Sequence, residues 1–393
     1  MDEAMVIVGA GIGGLASALA CARQGRAVQV LEQSPVLGEI GAGIQLGPNA
    51  VRLLDGWGLG PALKAVAAYP TRLEVRHARS ATLLGTLPLG QAMVQRYGVA
   101  YATVARADLH GLLLAAVRQS GTVDIQLASA VEDVVQDAHG VRFSTVDGTR
   151  RQTPLLVGAD GLWSRVRAQV WQDGAPRATG HLAFRALVRQ SDLPQGLRSQ
   201  VVTAWLGPAF HVVQYPVRGG EWLNLVVIAK GTAPADLQSW DHAANAAELR
   251  ALLANAGGPL LDLIHTVDNW RLWALCDRVP MRSAAEHVQG RIALLGDAAH
   301  PMRPYLAQGA GMAMEDAHQL AASLAAQPQD SGAALQHYAQ TRWQRNARVQ
   351  ARAQRNGDIF HMKAPMSLAR DVSLRLLGAR LLDVPWLYGY AGA

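Results

Sequence analysis

Lysine is nearly missing from this chain. Lys64, Lys230 and Lys363 are its only three among 393 residues, so 33 of the 36 basic side chains are arginine and carry the net charge of +6. A basic chain invites a nucleic-acid reading. That reading requires aromatic residues interleaved with the basic patch or a known binding module, and neither is found here. Arg342, Arg345, Arg348, Arg352 and Arg355 fall on one side of a long predicted helix, and we read them as a solvated face paired with carboxylates.

Cysteine is scarce too. Cys21 and Cys276 have no further cysteine or histidine at metal-ligand spacing, which excludes a disulfide framework and a structural metal centre of the usual pattern. We expect Cys21, on the first helix, to be buried and reduced. No apolar run reaches the length of a membrane span. The chain enters its first strand after Met1-Asp2-Glu3-Ala4, leaving no room for a signal peptide, so a cytoplasmic protein is expected. Half of the residues are apolar and 17% are charged, a globular balance with enough length for two large cores.

The most informative stretch runs from Met5 to Glu32. Met5–Val8 is a short apolar strand, followed by Gly9, Gly11 and Gly14 as G-x-G-x-x-G. Leu15 and Leu19 begin a helix that Gly25 ends, residues 27–31 form a second strand, and Glu32 stands at its end. Gly9 makes the tight turn, Gly11 lets backbone approach a pyrophosphate, and Gly14 allows helix and strand to pack closely. The helix N-terminus offers free N–H groups to phosphate. Glu32 can accept ribose hydroxyls and would repel a 2′-phosphate. With strand, turn, helix, strand and acid all in order, a bound dinucleotide is predicted.

Downstream, residues 38–49 carry four glycines and a proline, marking a loop that passes close to something. Helices are predicted over 51–63, 106–118, 163–170, 243–254, 310–326 and 333–355. Short strands are predicted at 71–76, 83–88, 123–127, 131–136, 141–146 and 153–157. From 179 to 275 strand-like runs dominate, at 182–188, 201–205, 211–217 and 222–228, which predicts a mostly antiparallel sheet inserted in an α/β chain. Trp270 and Trp273 are read as core or interdomain packing. Residues 365–393, apolar with Pro and Gly breaks, resist assignment.

Two later motifs repeat one device, a buried strand ending in glycine and aspartate. They are LLVGADGLWSRVR at 155–167, with Asp160, and IALLGDAAHPMRPYLAQGAGMAMED at 292–316, with Asp297. An aspartate there points into the crevice where such sheets bind ligands.

With these three motifs in this order, residues 4–350 resemble the FAD-dependent aromatic-ring hydroxylases of the p-hydroxybenzoate hydroxylase type. The resemblance implies an α/β fold: a Rossmann-like FAD-binding domain from 1–70, 98–178 and 271–350, a β-sheet substrate domain from 71–97 and 179–270, and a C-terminal helical segment from 351–393. It implies that Glu32 meets the adenosine ribose and Arg106 the FAD phosphates. Asp160 would serve both FAD and nicotinamide binding, Asp297 the pyrophosphate and ribityl region, and Pro301 the flavin ring. Gly309, Gly311 and Met312 would open a helix under the flavin, whose dipole favours negative charge on the reduced ring. No second G-x-G-x-x-G follows a strand, so NADH or NADPH is expected as a transient co-substrate without its own domain.

His211 and Tyr215 lie in AFHVVQYPV, where residues 211, 213 and 215 share one strand face. A histidine there can take a phenolic proton and activate a ring towards electrophilic oxygen. Hydroxylases resembling 3-hydroxybenzoate 6-hydroxylase and salicylate hydroxylase carry such a pair. Tyr305 is a candidate for the substrate pocket, and His300 is read as structural. The resemblance implies an NAD(P)H- and O2-dependent monooxygenase, acting through a flavin hydroperoxide on a small phenolic acid. Alternatives are a hydroxypyridine acid such as 6-hydroxynicotinate, a larger phenolic ring, or a non-catalytic FAD-binding regulator. No metal, nucleic acid or membrane insertion is expected, and the chain is read as a monomer or homodimer.

Overall fold

The computed structural model describes residues 4–38, 43–238, 242–243 and 246–390. Parts of two predicted segments, 39–42 of the glycine loop and 244–245 of the helix at 243–254, lie outside them.

A six-stranded sheet holds the N-terminal strand at its centre. Its order is Val288–Gln289, Ile292–Leu294, Leu156–Gly158, Met5–Val8, Val28–Leu31 and Val123–Gln126. All pairings are parallel except the short edge contact of Val288–Gln289 with Ile292–Leu294. Met5–Val8 is buried at every residue, as parallel strands covered on both faces must be. One cover is the helix Ile12–Ala22, packed against Gly309–Ala326. Cys21 is buried in that layer, and burial pushes its thiol up to about 12. A three-stranded antiparallel sheet, Val131–Asp137, Gly140–Thr145 and Arg150–Thr153, flanks this unit.

The second unit is an eight-stranded sheet ordered His242–Ala243, Arg271–Asp277, Arg177–Arg189, Trp222–Lys230, Phe210–Val217, Val202–Gly207, Arg72–His77 and Leu83–Pro88. Only Val202–Gly207 with Arg72–His77 is parallel. Residues 271–277, grouped by the sequence reading with the nucleotide unit, pair along Arg177–Arg189 and so belong to this sheet. Trp270 sits in the core beneath it, whereas Trp273 is half-buried with Arg185 stacked 4.8 Å over its ring.

Several predicted boundaries shift. The helix at 51–63 is two, Pro48–Gly56 and Gly60–Val66, each with proline in its first turn. The helix at 163–170 starts at Arg165, because the Ser164 hydroxyl caps it by accepting from Arg167 N–H. Gly43–Leu46, within the predicted loop, is a strand paired with Ala102–Ala105.

The last long helix, Ser331–Phe360, has 30 residues, and its N-cap Asp330 accepts from Ala333 N–H at 2.9 Å. It is about 45 Å long and bridges the two units. The expected solvated arginine face is corrected here. Arg342 is fully buried, paired with Glu315 and Asp316 at 2.8 Å each, and Arg345 also grips Glu315 at 2.6 Å. Arg342 and Arg345 thus meet the acid pair on Gly309–Ala326 inside the protein, whereas Arg348 and Arg355 are exposed as expected and Arg352 lines a cavity. Of residues 365–393, the described part to 390 contains three helices, Met366–Leu377, Ala379–Leu382 and Pro385–Tyr388. No described helix is long and apolar enough to cross a membrane.

Candidate active site

Two cavities meet the sequence-derived residues. The larger, about 790 Å³, lies at the carboxyl ends of the parallel strands and is lined by Gly9, Gly11, Glu32, Arg106, Asp160 and Asp297 among others. Three motifs far apart in sequence therefore share one wall.

The three glycines act differently. Gly9 has φ +102°, and a Cβ there would sit 2.6 Å from the Ala159 carbonyl oxygen. A Cβ on Gly14 would meet the Gly9 oxygen at 1.9 Å, so this glycine serves helix–strand packing. A Cβ on Gly11 would meet no protein atom within 4 Å. Both Gly9 and Gly11 border the cavity, but a side chain on Gly11 would enter open space whereas one on Gly9 or Gly14 would strike backbone.

Glu32 is fixed by backbone, its Oε2 accepting Ala10 N–H at 2.7 Å and its Oε1 accepting Ser34 N–H at 2.8 Å. His110 donates from Nε2 to the Ala10 carbonyl at 2.8 Å and also lines the cavity. A carbonyl only accepts, so Nε2 carries the proton. The Asp160 carboxylate accepts from the Ser164 hydroxyl at 2.6 Å and from Val166 N–H at 3.1 Å. Burial raises its pKa, against those hydrogen bonds. Asp160 thus braces the start of the helix Arg165–Val170 as well as lining the cavity.

Arg185 was not singled out in the sequence. It lines the same cavity, and its Nε has no hydrogen-bond partner within the protein. Burial lowers its pKa, Tyr215 raises it, and Arg106 lowers it further. A cation held beside Arg106 fits a polyanionic ligand. No pattern announced it, because it is one arginine of 33 on an ordinary strand.

The GDAAHP turn carries Asp297, and a Cβ on Gly309 would stand 3.9 Å from its Oδ1. Gly309 opens an 18-residue helix, whose N–H groups therefore lie close to the Asp297 carboxylate. Pro301 is buried, its carbonyl held by Gln350 Nε2 at 3.1 Å. A Cβ on Gly311 would press on Gln308 Oε1 at 2.9 Å. The Met312 side chain is fully buried in the apolar core behind the helix and lines neither cavity. His300 is buried against Asp316, a structural contact. His287, His300 and Asp316 are close enough to share a cation, but Asp316 already accepts from Gly296 N–H, His300, Arg342 and Asn346.

The second cavity, about 520 Å³, lies between the large sheet and the C-terminal helices, and its lining is mostly apolar. His211, Val213 and Tyr305 line it, with Gln45 and Tyr101 among its polar residues. His211 and Tyr305 stand with ring centroids 5.1 Å apart. The Tyr305 hydroxyl is buried without a partner in the protein, and so is Arg352 Nε on the same wall. Buried polar groups without protein partners, converging on an apolar cavity, mark a ligand site.

Tyr215 is placed differently from His211. It is buried against Gly43, where a Cβ would meet its ring at 2.5 Å, and lies opposite Asn224 on the neighbouring strand. It is not part of this cavity's lining. Burial drives its pKa up, with Arg185 and a hydrogen bond to Asn224 pulling down. Tyr215 therefore stands between the two cavities, next to Arg185.

His211 Nδ1 contacts His361 Nε2 at 2.9 Å. Burial, with His361 and His181 beside it, lowers the His211 pKa well below the usual histidine value. Neither His361 nor His181 is visible in sequence as part of this site.

The family model described as FAD binding domain matches residues 2–353. The 3-hydroxybenzoate 6-hydroxylase 1 of Aquipseudomonas alcaligenes is 38% identical over 99% of this chain and 98% of its own length. A crystal structure of HpxO from Klebsiella pneumoniae with FAD and uric acid matches with TM-score 0.83 at 29% identity, covering 96% of this chain and 94% of that one. A salicylate hydroxylase substrate complex matches with TM-score 0.83 at 27% identity, covering 99% and 96%.

Proposed function

The chain belongs to the FAD binding domain family and is a flavin-dependent aromatic hydroxylase; from that premise we propose that its substrate is a small phenolic acid of the 3-hydroxybenzoate or salicylate type. The observation that supports this most is the apolar cavity bounded by His211, Tyr305 and Arg352.

FAD fits the larger cavity. The space above Gly11 is open, Glu32 has lone pairs left for ribose hydroxyls, and Arg106 with Arg185 faces anionic groups. Bound there, FAD supplies the electrons from NAD(P)H and the activated oxygen. The chain's own residues do the rest. The apolar walls exclude water from the ring to be attacked. Arg352, with Nε unpartnered in the protein, receives the substrate carboxylate. The Tyr305 hydroxyl orients the ring by a hydrogen bond. His211 takes the phenolic proton at Nε2, the nitrogen not engaged by His361, and leaves a more nucleophilic ring. The cavity has room for more than one ring, which favours a larger phenol as second reading.

The test is a panel of phenolic acids, hydroxypyridine acids and bicyclic phenols, scored for stimulated NADH and NADPH oxidation and for a product one oxygen heavier. A hydroxylated benzoate as the best product supports the proposal. Stimulation confined to pyridines or bicyclic rings replaces the substrate, and no stimulation by any member refutes it.

A further inference from the structure

His211 is not alone in the wall of the substrate cavity. His361, just past the helix Ser331–Phe360, places Nε2 2.9 Å from His211 Nδ1. Its other nitrogen, Nδ1, is buried without a protein partner. His181 lies behind, its ring centroid 5.1 Å from that of His361. His361 itself does not line the cavity. The order from substrate outward is therefore cavity, His211, His361.

We propose that His361 is a positioning and relay residue that fixes the proton-accepting tautomer of His211 and carries the phenolic proton onward. The inference rests on the reading of His211 as the base. A contact between two neutral imidazoles needs one N–H and one lone pair. When His211 donates from Nδ1, its Nε2 is bare and faces the substrate as a base. Once Nε2 takes the phenolic proton, the Nδ1 proton passes to His361 Nε2, and His361 gives up its Nδ1 proton towards solvent. One N–H bond forms and one breaks at each ring, both rings end neutral, and the tautomers of both are exchanged. After product leaves, the His211 Nε2 proton passes to water entering the emptied cavity, His361 Nδ1 takes a proton from solvent, and the Nε2 proton of His361 returns to His211 Nδ1, which restores both tautomers.

The surroundings explain why a relay is needed. A lone His211 would have to hold a full positive charge in a fully buried site. Around the pair stand His181, Lys230, Arg303 and Arg370, all cations or potential cations, and they depress His361 further after burial itself, to about 3. Asp358 and Asp277 act on the neighbouring His181 in the opposite sense, and Tyr305 packs against all three histidines. Arg303 and Arg370 are themselves paired with Asp277 and Asp371, so burial is the main reason that a charge kept on the pair costs more than passing the proton on.

The first test needs no substrate. In histidine-labelled holoenzyme, nitrogen NMR reads which nitrogen of each ring is protonated. Wild-type His211 is expected as the Nδ1–H tautomer. In His361→Phe, His211 should revert to the Nε2–H form that free imidazole side chains prefer. In His361→Gln the amide oxygen can still accept from Nδ1, so the Nδ1–H form should persist. The second test measures product formed per NAD(P)H consumed, with the best substrate of the panel. Both variants should keep FAD and lose about tenfold in coupling at neutral pH. Raising pH to ionise the phenol should restore most of it. Adding His361→Phe to His211→Ala should cost nothing further. If His211→Ala itself keeps wild-type coupling, the base reading fails. If His211→Ala loses coupling while both His361 variants keep it, or His211 stays Nδ1–H in His361→Phe, only the relay fails. Loss of flavin or folding with normal coupling per bound flavin would make His361 structural and overturn the proposal.

Discussion

Glu32 accepts the N–H of Ala10 at 2.7 Å, tying the end of the second strand to the middle of the glycine turn. Both carboxylate oxygens are engaged by backbone donors, so the side chain is aimed before any ligand arrives. Glu32→Gln puts an NH2 group against one of those N–H donors. We expect FAD affinity to drop about tenfold or more and apoprotein stability to fall by about 1–3 kcal/mol. Flavin fluorescence titration and thermal unfolding of the apoprotein measure both. Unchanged affinity would remove Glu32 from the cofactor site.

Gly11 and Gly14 should separate binding from folding. Gly11→Val adds atoms where no protein atom lies within 4 Å, so the variant should fold and purify colourless. Gly14→Ala forces a Cβ to within 1.9 Å of the Gly9 oxygen and should yield little soluble protein. A yellow, fully loaded Gly11→Val would show that the pyrophosphate lies elsewhere.

The contrast shows what sequence makes legible. The glycine turn, Glu32, Asp160 and Asp297 could be read because they follow strand ends, where local backbone geometry fixes what a residue faces. His211 could be read from strand alternation. Arg185, His110, Arg352 and His361 could not. Their roles arise only when strands and helices from distant segments meet. The arginine stripe holds as a solvated face at Arg348 and Arg355 but not at Arg342, because helical periodicity gives a shared face but not what covers each part of it, and Arg342 is buried against Glu315 and Asp316. Tyr215 is paired with His211 by strand alternation and by the resemblance, yet four residues along the strand place it outside the lining of the smaller cavity that His211 borders.

That buried cluster sets a pH-dependent prediction. Burial alone would raise Asp316, but His300 and Arg342 outweigh it and hold the carboxyl far below the usual range. A depressed folded pKa gives stability that is present above the unfolded carboxylate value and is lost only as pH falls through the folded value. Arg342→Met removes one of these two partners and leaves His300, so the Asp316 carboxyl rises back towards its unfolded value. Apoprotein stability should fall by about 3–5 kcal/mol at neutral pH. The deficit should shrink in acid, as Asp316 of the variant takes a proton that the wild-type carboxyl, held lower by Arg342, still lacks. Urea unfolding at the two pH values reads the difference, and an equal deficit at both would contradict the pairing.

Arg352→Met should act on binding rather than on chemistry. If its guanidinium holds the substrate carboxylate, KM for a phenolic acid should rise by about ten- to a hundredfold, a loss of about 1.5–3 kcal/mol for a charged hydrogen bond. A phenol lacking the carboxylate should be handled alike by both enzymes. Steady-state kinetics on the matched pair of substrates decides. Equal losses on both would mean that Arg352 shapes the cavity without reading the acid.

The most direct measurement of the central claim is the coupling of His211→Ala across pH. His211 is buried in the wall of the smaller cavity, away from the lining of the larger one, so its loss should leave FAD bound and NADH oxidation running with substrate present. The hydroxylation step should slow by about 10²–10⁴-fold at neutral pH, so product per NADH should fall sharply, with the missing oxygen recovered as hydrogen peroxide. As pH rises through the ionisation of the phenol in solution, coupling should climb back towards the wild-type value. A stable, FAD-loaded His211→Ala enzyme that hydroxylates with wild-type coupling at every pH would contradict the account.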